Sequence, residues 1–293
     1  MAVDQPTVDR LEQEIAGLDA LDAVRSEERP RRLPAIWAAM WPKLAGAAIV
    51  LGAWQAIVWT HWKSETVLPG PKAAFQELGA QIQNGRLTEA FVTTMQRGVV
   101  GFGLAVVIGT LLGVVMYRSP FIRRAFGSII SGLQSMPSIA WFPLSLILFG
   151  TSELTILFVV VLGAFPSATN GLLNGVDHIP PLLLRAGKVM GAKGLDSFRH
   201  VVLPAALPGY VAGLQQGWAF AWRSLMAGEL IVVIAGKKSI GTELHFAQDL
   251  VDAPRVLAMM IMILVIGILV DAVVFASIER GIRRRRGLIE IGS

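Results

Sequence analysis

Long stretches with almost no charge, each about as long as a bilayer's hydrocarbon core is thick, constrain this chain more than anything else in it. A helix needs about 20 mostly apolar residues to cross roughly 30 Å of hydrocarbon. Six stretches qualify: about Lys43–Trp62, Phe91–Tyr117, Ala125–Phe149, Leu154–Leu173, Pro208–Ile234 and Ala253–Ile278. The third is interrupted by Pro137 and Pro143. The expectation is an all-α integral membrane protein with six transmembrane helices. With 54% hydrophobic residues, the chain exceeds the 45–50% usual for soluble domains.

Lysine and arginine set the orientation, because short cytoplasmic loops carry the basic excess. Arg25, Arg29, Arg31, Arg32 and Lys43 fall on one side, with Arg118, Arg123, Arg124, the loop after span four, Arg280 and Arg283 to Arg286. Lys63, Lys72, Arg86, Lys237 and Lys238 fall on the other. Both termini are therefore expected in the cytoplasm. The net charge of +5 reads as membrane orientation rather than nucleic-acid binding. No basic n-region precedes an apolar h-region, so no cleaved signal peptide is expected. The absence of cysteine excludes disulfides, thiol catalysis and thiolate-held metals.

The organisation expected is a cytoplasmic tail over 1–34, a first span over 35–62, an extracytoplasmic connector over 63–90, a transmembrane core over 91–286 and a short cytoplasmic tail over 287–293. In the first tail, Val8, Leu11, Ile15 and Leu18 recur at helical spacing among acidic residues. That is the pattern of an amphipathic acidic helix, either a docking helix for a protein or a solvated tail. Gly109 and Gly113, then Gly209, Gly213 and Gly217, make small-residue faces that let transmembrane helices approach closely.

One cytoplasmic segment, the loop expected at 177–208, interrupts this pattern. "RAGKVMGAKGLDSFRHVVLPAALPG" carries Arg185, Lys188, Lys193, Asp196, Arg199 and His200 among the small residues Ala186, Gly187, Gly191, Ala192 and Gly194. Two helical pieces are expected, about Pro181–Met190 and Leu195–Val202, bent at Gly191 and Gly194, with Pro204 and Pro208 ending the second and restarting the chain as span five. A rigid kinked pair fixed to two spans can transmit a push.

The spacing Ala186, then Gly191, then Val201-x-Leu203-Pro204 resembles the "EAA" loop of ABC importer permeases, the binding-protein-dependent transport components of the inner membrane. "MPSIAWFPLSLILFG", "AWRSLMAGELIV" and "LPGPKAAFQEL" resemble the subfamily that imports taurine, aliphatic sulfonates and nitrate. The family's opening glutamate is Arg185 here and its second alanine is Gly187, with the spacing kept. The resemblance implies a type I ABC importer permease-like fold. It also implies a loop, Arg185, Ala186, Gly187, Gly191, Ala192, Lys193, Gly194, Leu195, Asp196, Ser197, Phe198, Val201, Leu203 and Pro204, that docks as a coupling helix on an ATPase. The implied partners are a second permease copy forming a homodimer, two cytoplasmic ATP-binding subunits that carry ATP and magnesium, and an extracytoplasmic substrate-binding protein. This chain itself would bind no cofactor and hydrolyse nothing.

Polar residues within spans are the candidates for a path: Gln134, Ser135, Ser138 and Trp141; Ser167 and Asn170; Gln215, Gln216, Trp218, Trp222, Arg223 and Glu229. They can hydrogen-bond an oxyanion weakly enough to release it, or equally hold helices together. Arg223 and Glu229, six residues apart, do not neighbour each other on one helix face, so each needs a partner elsewhere, with the second copy as one source. Arg223 would draw an anion or make a structural ion pair. Asp271 is expected in a structural hydrogen bond. "GKKS" lacks the glycine spacing of a phosphate loop, and His61, His178, His200 and His245 form no zinc motif. "GTSE" has no partner base for a nucleophile. The implied cargo is an aliphatic sulfonate, taurine or a nitrate-like oxyanion. A thiamine precursor or aromatic acid is the alternative within the family. Outside it stand an ion-coupled secondary transporter using Glu229 and Asp271, and an intramembrane enzyme.

Overall fold

The computed structural model describes residues 32–285 and divides the chain into two units, one ending at Trp62 and one beginning at Lys63. The acidic tail pattern of Val8 to Leu18 and the final residues lie outside the described residues. Every regular element described is helical. In the first unit, α1 (Arg32–Trp59) contains a stretch, Met40–Trp59, long and apolar enough to span a membrane.

The second unit is built on three long helices, and local chemistry sets their ends. After the connector helix α2 (Pro71–Gln83), α3 runs over Arg86–Arg118. Ser119 caps the next helix, accepting a bond from the Ile122 N–H, and Pro120 opens it at a position that needs no N–H donor. That helix, α4 (Pro120–Ser135), stops because Met136 precedes Pro137 and is driven to extended geometry (φ −74°, ψ 131°). The chain resumes as a turn at Ser138–Trp141 and α5 (Phe142–Phe149), bent from α4 by 104°. The third apolar stretch is thus a broken pair, not one straight helix. Next come α6 (Glu153–Asp177) and α7 (Pro181–Val189). A short helix α8 (Gly194–Ser197) then leads through a π-helical turn (Phe198–Val202) into α9 (Leu203–Ile231). Finally α10 (Ile240–Asp249) precedes α11 (Ala253–Val270), which continues through a second π-helical turn (Asp271–Phe275) into α12 (Ala276–Arg285).

Among the described residues, four helices qualify as spans by length and composition, and the bent pair makes a fifth if it is one span. The α9 helix has the length but carries Gln215, Gln216, Arg223 and Glu229. α6 is the centre of the unit: 61% of its most apolar window is buried, against 28% for α3. It is gripped on two sides by glycine contacts. A Cβ at Gly109 would lie 2.5 Å from the Phe165 carbonyl oxygen, and one at Gly213 would lie 2.3 Å from Gly171 Cα. The small-residue faces predicted from sequence are therefore the α3–α6 and α6–α9 contacts. Between spans, lipid tails supply no hydrophobic drive, so close van der Waals approach of this kind holds helices together.

Candidate functional site

At one end of the unit the polar loop is folded and anchored. α7 turns Leu184 and Gly187 inward; Gly187 is buried because a Cβ there would lie 2.9 Å from Val201 Cγ2. Ile179, Val202 and Ala206 form a small core with Leu184, Phe198 and Tyr117. The Tyr117 and Phe198 rings lie 5.6 Å apart, which ties the loop to the end of α3. Gly191 and Gly194 adopt left-handed backbone (φ +85° and +54°), so the expected bend sits where only glycine is comfortable. The second piece differs from expectation. It does not stop at Pro204 but runs into α9 as one continuous helix. The π turn ends with the Leu203 N–H donating to the Phe198 carbonyl, five residues back, just before the two prolines that have no N–H to give. Beside the loop, Arg123 of α4 forms a two-pronged ion pair with Asp177 at the end of α6.

Next to the loop end lies a cavity of about 610 Å³ between α4, α6 and α9. Its polar lining is Ser131, Gln134, Asn170, Asn174, His178 and Gln216, and Gly171, Gly175, Gly209 and Gly213 line it too. Among the described residues, no aspartate, glutamate, lysine or arginine lines it. The Asn170 amide donates to Gln134 Oε1 at 2.5 Å.

At the opposite end a buried ion cluster joins four parts of the chain. Glu229 is fully buried and Arg97 is 7% exposed. The guanidinium grips Glu153 through Nε and Nη2 (2.7 and 2.8 Å) and reaches Glu229 Oε1 through Nη1 (2.9 Å). Glu229 Oε2 accepts from Thr94 Oγ1 (2.8 Å) and from the Gly241 N–H (3.1 Å), while Thr94 Oγ1 accepts from the Ile240 N–H (3.0 Å). Two N–H groups at the start of α10 are thereby satisfied from within the cluster, where a helix N-terminus favours negative charge. Lys237 adds a second cation to Glu153 at 2.8 Å. Each charge is paired and each carboxylate oxygen is hydrogen-bonded, which buried charges require.

Residues 105–284 match the family described as the binding-protein-dependent transport system inner membrane component. The chain belongs to this family. As a permease it is a multi-pass inner-membrane component, of a kind that works with ATP-binding subunits and substrate-binding proteins. A Methanocaldococcus jannaschii protein named as a candidate ABC transporter permease is 29% identical over 233 residues, 78% of this permease and 86% of that protein. The taurine transport system permease protein TauC of Escherichia coli is 28% identical over 241 residues, 80% and 84% of the two chains. The fold is similar to a chain of the inward-facing MetNI methionine ABC transporter (TM-score 0.59, 21% identity, 69% of this permease and 98% of that chain).

The candidate path residues scatter within this permease. Gln134, Asn170 and Gln216 meet in the cavity. Ser135 bonds its own turn through the Gly132 carbonyl, and Ser138 packs against Gly163. Trp141 packs on the hydrophobic core. Trp218 and Trp222 are buried and stacked on each other, 6.1 Å between ring centroids, and Ser167 is buried. Gln215 donates to Asp271 at 2.6 Å, the hydrogen bond expected for that carboxylate. Arg223 is exposed, its guanidinium 5.5 Å from the Phe220 ring. Glu229 finds its partner on α3 of the same chain, so no second copy is needed to neutralise it. Sequence reasoning missed Arg97 and Thr94 as its partners, Glu153 as the second carboxylate on Arg97, and Ser131, Asn174 and His178 in the cavity. A signal existed: Arg97 is a charge inside an apolar stretch, with Thr94, Gly98 and Gly101 on the same helix face.

Proposed function

We propose that this chain is the transmembrane subunit of an ATP-driven importer, working by alternating access with two copies around a two-fold axis. The observation that carries this reading is the anchored loop, whose outward face is apolar although it lies at a polar end. Leu182 is 75% exposed, Val189 89% and Met190 79%. Such a face fits a partner's cleft, and the small core with Tyr117 and Phe198 makes the loop stiff enough to pass a push into α6 and α9. The ATP-binding subunits, which carry ATP and magnesium, dock there on the cytoplasmic side. An extracytoplasmic binding protein delivers cargo at the Arg97–Glu229 end. In this reading α9, 29 residues and about 43 Å long at 1.5 Å per residue, is the fifth span and the bent α4–α5 pair is the third. The six spans then place both termini inside.

The cargo is a small oxyanion, an aliphatic sulfonate, taurine or a nitrate-like ion. The cavity suits it: amide side chains can hydrogen-bond an oxyanion, and with no lysine or arginine in the lining among the described residues it is not trapped. The test is gentle purification of the tagged chain from its native membrane, with mass spectrometry of the proteins retained at comparable stoichiometry. An ATP-binding subunit and, in its presence, a sulfonate-binding protein are expected. Intact uptake with no ATP-binding subunit would overturn the reading.

A further inference from the structure

We propose that the cleft seated on α7 is acidic, so that this permease recognises its own ATP-binding subunit by charge as well as shape. The inference rests on the docking reading above and specifies the chemistry of the partner. On α7, Leu182, Arg185, Ala186 and Val189 are spaced i, i+3, i+4 and i+7 and are all exposed, while Leu184 and the buried Gly187 face the small core. Four cations lie in the same loop: Arg185 and Lys188 on α7, Lys193 just after it and Arg199 in the π turn are all exposed and hold no carboxylate among the described residues. The one acidic side chain between Arg185 and Gly209, Asp196, is 80% exposed and lies 3.7 Å from His200 Nδ1 of the next turn, and it forms an ion pair with none of them. Seating this face in a cleft removes water from Leu182, Val189 and Met190, and brings the unpaired Arg185 and Lys188 of the same helix to that contact. Unpaired cations there disfavour a neutral or basic cleft, whereas carboxylates opposite Arg185 and Lys188 draw the partner in and fix its register. The exposed, left-handed Gly191, with no atom within 4 Å of where its Cβ would be, leaves backbone open to the same partner.

The test uses the complex of this chain with its ATP-binding subunit in vesicles, and reads the affinity of that subunit for the permease. Raising salt from about 0.05 M to about 0.5 M shortens electrostatic reach and is expected to weaken association at least tenfold. Arg185→Glu with Lys188→Glu is expected to weaken it tenfold or more, and Arg185→Ala with Lys188→Ala by less. Val189→Asp with Met190→Asp is expected to release the subunit altogether. These side chains are exposed, so unchanged helix content serves as the folding control. If salt and charge reversal have no effect while the apolar pair still releases the subunit, the acidic cleft is wrong and the docking reading stands. If no variant changes association, the docking reading itself fails. Because the chain has no cysteine, Val189→Cys also offers a single labelling site. Protection of that site in anionic-lipid vesicles without any ATP-binding subunit would assign the face to lipid and overturn the proposal.

Discussion

Arg97 shows how much of this protein rests on single charged groups placed where charge is expensive. It holds two carboxylates at once, and one of them, Glu229, has no exposure at all. Breaking one side of a buried pair leaves the other uncompensated, which costs about 3–5 kcal/mol. Arg97→Ala should therefore lower stability in detergent by about that amount, read as an earlier denaturant midpoint. Arg97→Leu combined with Glu229→Leu should recover most of the loss, because replacing a whole buried pair with apolar groups is often neutral. Equal damage from the single and double variants would show that the Gly241 N–H, not the charge balance alone, needs Glu229. Arg223 contrasts with this. It is exposed, its close contact is a ring, and the proposed cargo is an anion. Arg223→Ala should reduce uptake of an anionic cargo with the complex still assembled; loss of the complex would make Arg223 a structural residue.

At the scale of elements, helix contacts here depend on missing side chains. Gly213 touches Gly171 backbone to backbone, whereas the nearest atom to a Cβ at Gly217 is 3.4 Å away, an ordinary contact. Gly213→Ala should force α6 and α9 apart and lower thermal stability markedly, while Gly217→Ala on the same helix face should be nearly silent. Similar losses at both sites would contradict the close approach. Inside the loop, Gly187→Ala presses on Val201, so Val201→Ala should rescue it. The readout is coupling of ATP hydrolysis to uptake, which a coupling subsite would lose and a merely tolerant packing site would keep.

For the whole molecule, the proposed cycle needs the loop and the two long helices it feeds to move together. Gly191 is the point at which the bend of the loop and the proposed docking meet. A bulky residue there is strained at φ +85° and would stand on the proposed docking face, so Gly191→Phe should leave ATP hydrolysis running but uncoupled from uptake. Normal uptake together with normal binding-protein-stimulated hydrolysis would refute the seating of that backbone on a partner.

What the chain's linear order determined by itself was everything that depends on local pattern. The apolar stretches, the glycine faces, the two-piece loop bent at Gly191 and Gly194, and the likeness to importer permeases are all legible because hydropathy, spacing and backbone permissiveness are properties of neighbouring residues. The bend at Pro137 belongs here too, since the residue before a proline is pushed out of helix whatever surrounds it. Only the tertiary structure decided which charges meet. Arg97 and Glu229 are 132 residues apart and Gln215 and Asp271 are 56 apart. No periodicity links such pairs; they are selected by which helix faces pack. The same holds for the cavity, where Gln134, Asn170 and Gln216 converge from three helices while Trp218 and Trp222, equally eligible by sequence, turn into the core. A polar side chain at membrane depth must find a partner or water, and its sequence position says that it needs one without saying which.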